Sequence, residues 1–514
     1  MRKRPTTIRT VLIANRGEIA LRVLRACRAM DLFPVMVYSD ADRDSLPVRL
    51  ADAAYPIGAP PATSSYLDSD AILAAARKAG ADAVHPGYGF LAENAVFAEA
   101  VAKEGLVFIG PPPAAMRLVG DKVEARRHMS GAGVPVIPGM SERAEGIDAI
   151  RAFVRKEGYP ILLKAAAGGG GKGMRVVRRD SELESMARAA RSEASVSFGD
   201  DGIYAEKLLE RVRHIEVQIL ADHHGNAVHL GERECSTQRR HQKLIEEAPS
   251  TALDAAARRK IGSMAVDVVR SCGYRNAGTV EFLLDESGRP YFMEVNARLQ
   301  VEHPVTELVT GRDLVRDQIE IARGERLDLD QSRLNPSGWA IECRILAEDP
   351  LNGFCPSPGR VAAIRYPAGP GVRVDTALQA GDEISLHYDP LIAKLITWGR
   401  NREEAIVRMR GALDEFLIAG VHTTIDFHRE ILAEPAFRSG RLDIGYLDRV
   451  LPGIADRLRE IGPDGEIAAI AAAIAASEEA TKFVHVARTM GVDPWAMAGR
   501  RAMIESRFNR TPRT

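Results

Sequence analysis

Two apolar runs joined by a short turn signal constrain this chain most, because they predict a β-hairpin that carries two acidic residues. The runs are TVEFLL (279–284) and PYFMEVN (290–296), and Ser287-Gly288 lies between them as a two-residue turn signal. Counting outward from that turn pairs Leu284 with Tyr291, Phe282 with Met293, and Glu281 with Glu294. The sequence therefore predicts that the carboxylates of Glu281 and Glu294 lie side by side.

The paired glutamates indicate a cation site. Like charges opposite each other destabilise a sheet, so a positive group is expected between them. Asn296 lies two residues beyond Glu294 and on the same strand face, which adds a neutral oxygen to two anionic ones. This donor set suits Mg²⁺ or Mn²⁺ beside a phosphate. The alternative is an exposed strand face with ordinary charged residues, which the continuation ARLQVEHP (297–304) disfavours.

Composition and charge favour a cytoplasmic enzyme with several domains. A chain of 514 residues, 46% of them hydrophobic, suggests about three domains with sizeable cores. The formal net charge of −1 gives no overall attraction to nucleic acid or to a membrane. The five cysteines are scattered without a C-x-x-C pair, which indicates a reducing compartment. The start, MRKRPTTIRT, lacks a signal-peptide pattern, and no stretch is long enough to span a membrane.

The first part of the chain alternates strand and helix patterns. VLIAN (11–15) is typical of a buried parallel strand, the following residues 17–30 of a helix, and PVMVYS (34–39) of the next strand. Since the pattern continues to about residue 120, the sequence predicts a doubly wound first domain. The G-x-G-x-x-G spacing is absent after the first strand, which argues against a nicotinamide enzyme.

A glycine-rich segment and two lysines favour a nucleotide site. Lys122 stands at the start of a predicted helix near Asp121, and Lys164 ends a predicted strand. Between Gly168 and Gly173 every residue but Lys172 is glycine, without the spacing of a P-loop. Such a segment can close over phosphates as a flap, while the lysines neutralise phosphate charge. A mobile linker and two solvated lysines are the alternatives.

The segment ERECSTQRRHQK (232–243) concentrates polar side chains that a core cannot absorb unpaired. A solvated face is the usual explanation, whereas the interleaved acidic residues and the lack of aromatic residues argue against a nucleic-acid patch. His241 and Lys243 are two residues apart, so on an extended chain they face the same side. His214 is either a polar residue at a strand start or a nucleotide contact.

The motifs of this chain, in their order, resemble those of biotin carboxylases, which are members of the ATP-grasp superfamily. The matching motifs span roughly residues 8 to 450 and are NRGEIALR, HPGYGFLAEN, GDK, GGGGKGM, RHIEVQ, ERECSTQRRHQK, EVNARLQVEHPVTE and ECRILAEDP. The resemblance implies an α/β and α+β multidomain fold and a homodimer. Its implied parts are a Rossmann-like N-terminal domain (1–120), an ATP-grasp domain (121–330) with a mobile glycine-rich lid at about 136–207, a C-terminal α+β domain (331–450) and a tail (451–514).

The same resemblance assigns site residues by their positions in these motifs. The implied ATP contacts are Lys122, Lys164, Gly169, Gly170, Gly171, Glu206, Lys207, His214, Gln238 and His241. The implied ligands of two Mg²⁺ or Mn²⁺ ions are Glu281 and Glu294, with Asn296 beside them. The implied bicarbonate and biotin contacts are Lys243, Arg298, Gln300, Val301, Glu302 and Arg344. Among these, Lys243, Arg298, Glu302 and Arg344 are the implied catalytic residues.

The implied reaction is ATP- and bicarbonate-dependent carboxylation of biotin through carboxyphosphate. Glu302 would remove the proton of bicarbonate as it attacks the γ-phosphate, and Arg298 would hold the resulting oxyanions. The lid would keep water from the labile carboxyphosphate. Arg344 would stabilise the enolate-like oxygen that develops on biotin.

The end of the chain indicates how such an enzyme is assembled. No Met-Lys-Met biotinylation site is found, and the tail leaves little room for a carrier domain, so the biotin carrier and the carboxyltransferase are expected on separate chains. DPW followed by GRR in the tail resembles the sequence that follows the carboxylase unit in acyl-CoA carboxylase α chains, which implies docking to another chain around Trp495; a disordered end is the alternative. Acetyl-CoA carboxylase is the expected setting, with propionyl-CoA, methylcrotonyl-CoA or pyruvate carboxylase as alternatives. Further alternatives are another ATP-grasp ligase and an ATP-binding protein without catalytic activity.

Overall fold

The computed structural model describes residues 7–140, 142–166 and 174–460. The chain forms two units, Met1–Ile454 and Ala455–Thr514, and the second is described only over 455–460, which are helical. No helix among the described residues combines the length and the apolar character needed to cross a lipid bilayer.

The N-terminal region is a five-stranded parallel sheet with helices around it. Its elements are β1 (Thr10–Ile13), α1 (Gly17–Ala29), β2 (Phe33–Ser39), α2 (Leu46–Leu50), β3 (Ala53–Gly58), α3 (Ser69–Ala79), β4 (Ala83–His85), α4 (Ala95–Lys103), β5 (Val107–Phe108) and α5 (Pro113–Gly120). The strand order is β3-β2-β1-β4-β5, and every pair is parallel. The predicted doubly wound first domain is confirmed.

Strand β1 shows why this region consists of continuous apolar runs. Val11 and Ile13 pack into a core that includes Val23 of α1, whereas Leu12 packs on the other face with Ile72 of α3. Because helices cover both faces of the sheet, neither set of alternating side chains meets water.

Helix α6 (Lys122–Gly131) starts where the sequence predicts a helix. The side chain of Asp121 accepts hydrogen bonds from the backbone N–H groups of Val123 and Glu124, both at 3.0 Å. This N-cap satisfies two donors that the first turn of a helix leaves unpaired. Lys122 is therefore held at the first position of the helix.

The lid is a small α/β layer. Its elements are α7 (Ile147–Glu157), β6 (Ile161–Ala165), β7 (Arg175–Val177), α8 (Asp180–Phe198) and β8 (Ile203–Lys207), and the antiparallel strands follow the order β7-β6-β8. An entry segment (136–140) and an exit segment (204–207) connect it to the body. They pair with each other, because Met140 N–H donates to Ala205 (2.9 Å) and Lys207 N–H donates to Pro138 (2.7 Å).

Five antiparallel strands follow the lid. The elements are β9 (Arg213–Ala221), β10 (Ala227–Arg239), β11 (Gln242–Ala248), α9 (Ala255–Ser271), β12 (Asn276–Leu284), β13 (Pro290–Asn296), α10 (His303–Thr310) and α11 (Leu314–Ala322). Phe282 and Phe292 of the hairpin meet edge to face, with ring centroids 6.5 Å apart, in a core that includes Val268 of α9. This core fixes the hairpin against α9.

The C-terminal region mixes long strands with short ones. Its elements are β14 (Trp339–Leu346), β15 (Glu348–Asp349), β16 (Cys355–Pro356), β17 (Gly359–Arg360), β18 (Ala363–Arg365), β19 (Val372–Thr376), β20 (Glu383–Ile384), β21 (Leu391–Gly399), α12 (Arg402–Glu415), β22 (Leu417–Ala419), α13 (Ile425–Ala433) and α14 (Pro435–Arg438). The short strands form three two-stranded sheets, β15-β16, β17-β20 and β18-β22.

One sheet crosses the predicted boundary at residue 330. Its order is β13-β12-β9-β10-β11-β14-β21-β19, and β11 pairs with β14 from Ile245 opposite Cys343 to Ala248 opposite Ala340. Residues of the predicted ATP-grasp and C-terminal domains therefore share one rigid surface, and this surface carries most of the candidate site.

The predicted hairpin is present, but part of the predicted register is wrong. Glu281 does face Glu294, as predicted. Phe282, however, pairs with Phe292, and Leu284 pairs with Pro290, because a β-bulge follows Glu281. The turn is also longer than predicted, since Asp285 and Arg289 close a loop in which Gly288 has φ +80°.

Candidate active site

A cavity of about 1310 Å³ lies between the lid, the N-terminal sheet and the eight-stranded sheet. Every predicted site residue within the described part of the chain lines it. These residues are Lys122, Lys164, Glu206, Lys207, His214, Gln238, His241, Lys243, Glu281, Glu294, Asn296, Arg298, Gln300, Val301, Glu302 and Arg344. Gly169, Gly170 and Gly171 lie outside the described residues.

A row of charged residues crosses four strands at the floor of the cavity. Glu294 of β13 faces Glu281 of β12, which faces Glu216 of β9, which faces Arg233 of β10. Glu216 and Arg233 are completely buried and hydrogen-bonded to each other. Three adjacent carboxylates repel one another, so the fold must supply cations beside them.

Lys243 of β11 supplies the central cation. Its Nζ lies 2.5 Å from Glu216, 3.0 Å from Glu281 and 2.6 Å from Glu302. Burial by itself lowers the pKa of Lys243, but the three carboxylates outweigh burial and hold that pKa well above its ordinary value. Lys243 is therefore charged at neutral pH and joins the carboxylate row to Glu302.

Glu302 lies between two cations. Its Oε1 contacts Lys243, and its Oε2 accepts a hydrogen bond from Nη2 of Arg344 at 2.9 Å. Burial by itself raises the pKa of Glu302, but Lys243 and Arg344 outweigh burial and hold that pKa well below the ordinary value. Glu302 is ionised, and its basicity is suppressed while both cations remain in contact.

Arg344 also binds a second carboxylate, which the sequence did not single out. Its Nε donates to Oε1 of Glu246 at 2.6 Å. Glu246 is completely buried, and this burial raises its pKa to about 7 despite the neighbouring guanidinium. The guanidinium is therefore oriented by one carboxylate on each side.

Two lysines, each paired with a glutamate, line the side of the cavity nearest the lid. Lys122 lies 3.1 Å from Glu294, and this carboxylate is the main reason that the pKa of Lys122 is raised. Lys164 lies 2.6 Å from Glu206. Burial followed by the charge of Lys164 lowers the pKa of His241, so its imidazole is neutral at pH 7. Two ammonium groups, each paired with a carboxylate, and a neutral imidazole therefore line this side of the cavity.

His214 lies in one of the settings that the sequence suggested, whereas His241 does not. His214 is indeed near a strand start, and its Nε2 lies 3.0 Å from Oε2 of Glu281. His241 lies in the turn between β10 and β11 with φ +66°, not on an extended strand with Lys243. Both imidazoles nevertheless line the same cavity.

The ammonium group of Lys207 is already occupied. It donates to the backbone oxygens of Glu157 (3.1 Å), Gly158 (3.3 Å) and Tyr159 (3.0 Å). Among the lysines considered for phosphate contacts, Lys207 therefore differs from Lys122 and Lys164, because its charge faces the end of α7.

Amide side chains connect the carboxylate row to Arg298. Asn296 Nδ2 and Gln300 Nε2 donate to Oε1 of Glu281 at 2.9 and 2.8 Å. Asn296 Oδ1 accepts from Arg298 (3.0 Å), and Gln300 Oε1 accepts from Arg233 (2.7 Å). Each amide is thus held in one orientation by a donor on one side and an acceptor on the other.

The donors at the row fit a hard divalent cation. Glu281 and Glu294 present carboxylate oxygens at directly paired positions, which is the ligand chemistry of Mg²⁺ and Mn²⁺. The amide oxygen of Asn296 lies beside them but accepts a hydrogen bond from Arg298. Two other groups of potential ligands occur among the described residues, His214 with Glu216 and Glu281, and Glu216 with Cys235 and Glu302. Glu216 is completely buried between Arg233 and Lys243, whereas the Glu294 side chain is 27% exposed, so the hairpin pair is the better site.

Sequence reasoning missed Glu216, Arg233 and Glu246. A signal existed for Glu216, because it lies two residues after His214 on a predicted strand and therefore on the same face. Arg233 belongs to a polar segment for which a solvated face was one interpretation, yet the structure buries it completely.

Three family models match successive parts of the chain. Their descriptions are "Biotin carboxylase, N-terminal domain" over residues 7–116, "Carbamoyl-phosphate synthase L chain, ATP binding domain" over 121–330 and "Biotin carboxylase C-terminal domain" over 342–449. The matched domains and the cation-lined cavity define the protein as an ATP-dependent ligase.

Individual relatives agree with the family models. Biotin carboxylase of Nostoc sp. is 52% identical over 440 residues, covering 86% of this chain and 98% of the relative. Biotin carboxylase 1 of Bacillus subtilis is 49% identical over 442 residues, covering 86% and 98%. The propionyl-CoA carboxylase alpha chain of Ruegeria pomeroyi is 46% identical over 486 residues, covering 91% and 71%.

Solved structures show the same likeness. The biotin carboxylase domain dimer of Hydrogenobacter thermophilus 2-oxoglutarate carboxylase, in complex with MgADP, ADP and bicarbonate, has a TM-score of 0.85 to this chain at 45% identity. The likeness covers 87% of this chain and 98% of that one. The chain belongs to the biotin carboxylase family.

Proposed function

We propose that this chain uses ATP and bicarbonate to carboxylate biotin carried on a separate protein, with carboxyphosphate as the intermediate. The observation that carries the proposal is Glu302, which is held between Lys243 and Arg344 at the end of the carboxylate row. A carboxylate, an ammonium group and a guanidinium thus meet at one point of the cavity, where they would act as proton acceptor, anion-binding cation and oxyanion-stabilising group.

ATP would lie with its phosphates between Lys122 and Lys164. Both ammonium groups now contact carboxylates, Glu294 and Glu206, and a phosphate competes with each carboxylate for its lysine. Glu281, Glu294 and Asn296 would hold the divalent ions, which neutralise phosphate charge when bound. Neutral His241 would donate or accept a hydrogen bond without adding charge.

Bicarbonate would bind near Arg298, Gln300, Val301 and Glu302. Its negative charge competes with Glu302 for Lys243 and Arg344, and this competition raises the pKa of Glu302 in the complex. Glu302, whose basicity Lys243 and Arg344 suppress in the free protein, would thus become an effective base only when bicarbonate is bound. It then accepts the proton that bicarbonate loses during attack on the γ-phosphate.

Biotin would meet Arg344 after carboxyphosphate decomposes to CO₂ and phosphate. The phosphate is the expected base for the ureido nitrogen, and Arg344 stabilises the negative oxygen that develops on the ring. Glu246 and Glu302 hold the guanidinium from two sides, so little reorganisation is needed during the reaction.

Acetyl-CoA carboxylase is the proposed setting, in the cytoplasm, as a homodimer with carrier and carboxyltransferase on separate chains. The dimer of the Hydrogenobacter structure supports the proposed oligomer. A propionyl-CoA, methylcrotonyl-CoA or pyruvate carboxylase is the second candidate. Relatives with such names are 46–50% identical to this chain, which is close to the identity of the relatives named biotin carboxylase. The proposed tail contact at Trp495 lies outside the described residues, and the domain boundaries at 120, 330 and 450 remain proposals.

The test is ATP hydrolysis by the purified full chain with Mg²⁺, with and without bicarbonate and free biotin. We expect hydrolysis to need bicarbonate and ¹⁴C from bicarbonate to appear in carboxybiotin. Turnover that ignores bicarbonate would instead identify another ATP-grasp ligase. The acceptor is then assigned by adding purified carrier and carboxyltransferase pairs and comparing acetyl-CoA, propionyl-CoA and pyruvate.

A further inference from the structure

Arg126 belongs to the body of the molecule but contacts both segments that connect the lid to it. Its Nη2 donates to the backbone oxygen of Ile137 (2.7 Å), and its Nη1 donates to that of Met140 (3.4 Å). Nη1 also lies 3.2 Å from Oε1 of Glu206. One guanidinium thus holds the entry segment through two carbonyl groups and the exit segment through a carboxylate.

The space for this guanidinium depends on a glycine. Gly139 of the entry segment forms a β-bridge with Glu206 of the exit segment, and a Cβ at position 139 would lie only 2.9 Å from Cζ of Arg126. The ring of Tyr204 adds a cation–π contact, with Cζ 5.7 Å from its centroid. The side chain of Arg126 is only 9% exposed, so the cluster is packed as well as charged.

Glu206 links this cluster to the nucleotide side of the cavity. Its Oε1 faces Arg126, while its Oε2 lies 2.6 Å from Nζ of Lys164. Burial by itself raises the pKa of Glu206, but Lys164 and Arg126 together outweigh burial and lower it. Within the described part of the chain, the buried carboxylate therefore contacts two cations, of which Lys164 lines the cavity and Arg126 does not.

We infer that Arg126 is a positioning residue for nucleotide binding, because it keeps Glu206 compensated when Lys164 turns to a phosphate. Without Arg126, Lys164 would be the only cation that contacts this buried carboxylate among the described residues. A phosphate that binds Lys164 would then leave the carboxylate unpaired. Helix α6 starts at Lys122 and also carries Arg126. The same helix would therefore supply one phosphate-binding lysine, Lys122, and support the other, Lys164, through Arg126. This inference rests on the proposed ATP site.

The experiment measures the Kd for Mg·ATP by titration calorimetry on the full chain, so it does not require turnover. Arg126→Met should weaken binding about tenfold or more, as expected for loss of a charge-assisted contact. Arg126→Lys keeps the positive charge but not the planar guanidinium that contacts several groups at once. It should bind Mg·ATP more tightly than Arg126→Met and less tightly than wild type. The control is Arg127→Met on the same helix, whose exposed side chain pairs with Glu124 and which should change Kd less than about twofold.

A double-mutant cycle separates positioning from general structural support. If Arg126 acts through Glu206 and Lys164, Arg126→Met should have little further effect on Kd in a Lys164→Met chain. An equal factor in both backgrounds, or unchanged affinity in Arg126→Met alone, would overturn the inference. Should Arg126→Met fail to fold, Gly139→Ala displaces the guanidinium and must weaken binding in the same Lys164-dependent way.

The proposed function and this inference fail separately. A wild-type chain that binds Mg·ATP but never hydrolyses it with bicarbonate would refute the function, while the cycle of binding constants still decides the role of Arg126. A wild-type chain that turns over normally and shows additive Kd effects would refute only the inference.

Discussion

Replacing Arg344 by methionine should separate the two halves of the proposed reaction. The variant keeps an unbranched apolar stem but loses the guanidinium contacts to Glu302 (2.9 Å) and Glu246 (2.6 Å). Only the carboxylation of biotin needs Arg344 to stabilise a developing oxyanion. Formation of carboxyphosphate needs Glu302, Lys243 and the phosphate lysines, all of which the variant retains.

The sizes of the two effects follow from these contacts. Loss of one oxyanion-stabilising donor costs about 10²–10³ in rate, so carboxylation of biotin should fall by that factor. Removing one of the two cations beside Glu302 should raise its pKa, while Lys243 continues to oppose protonation. Because the base must be unprotonated, the acid limb of bicarbonate-dependent ATP hydrolysis should move to higher pH.

The assay follows ATP hydrolysis and ¹⁴C-carboxybiotin formation in parallel across the pH range of the stable protein. We expect hydrolysis at alkaline pH to stay within about tenfold of wild type, while carboxybiotin nearly disappears. Arg402→Met is the matched control, since Arg402 of α12 forms a similarly buried pair (2.6 and 3.0 Å) with Glu247 of β11, which belongs to the same sheet as Arg344, and neither residue lines the cavity. It should lower thermal stability without changing the ratio of the activities.

Equal loss of both activities in Arg344→Met, with no movement of the acid limb, would refute the reasoning. It would mean that Arg344 serves ATP and bicarbonate as much as biotin. A similar equal loss in Arg402→Met would instead trace the defect to the sheet.

Two further predictions concern charges beside the row. Glu294→Gln removes the charge that faces Glu281 and Lys122, so the Mg²⁺ concentration for half-maximal hydrolysis should rise about tenfold; unchanged dependence would exclude a metal role. Glu246 has a pKa of about 7 when folded and about 4.5 when unfolded, so the folded state binds more protons between these values and the unfolding free energy falls as pH rises. Urea titrations at pH 5 and 8 should show roughly 3 kcal/mol of this loss in wild type but not in Glu246→Gln.

The hairpin shows how far local pattern can reach. The bounds of β13 and the pairing of Glu281 with Glu294 follow from the apolar runs. The turn does not, because the Asp285 carboxylate accepts from the N–H groups of Ser287 and Arg289 (2.9 and 3.0 Å) and stabilises a longer loop. A bulge after Glu281 then restores the alignment of the glutamates, which counting from the turn alone could not foresee.

Other parts of the site depend on distant pairing. A shared sheet across residue 330 brings Arg344 of β14 within reach of Glu246 of β11, although 98 residues separate them in the sequence. The burial of Arg233 cannot be predicted from the neighbouring sequence either, because its partners Thr279, Gln300 and Thr306 are distant in the sequence. The resemblance of the motifs supplied positions for the site, but their roles remain predictions.

The carboxylate row explains why the candidate site needs elements that are far apart in the sequence. Adjacent carboxylates of Glu294, Glu281 and Glu216 would destabilise the sheet if they stood alone. Their cations come from α6 (Lys122), β10 (Arg233) and β11 (Lys243), each of which contacts a carboxylate of the row. Since a buried charge without its partner costs about 3–5 kcal/mol, losing any of these elements would disrupt the row. The pairing of Glu281 with Glu294 can therefore be predicted from a short stretch of sequence. The positions of the cations that offset their repulsion depend on the tertiary fold.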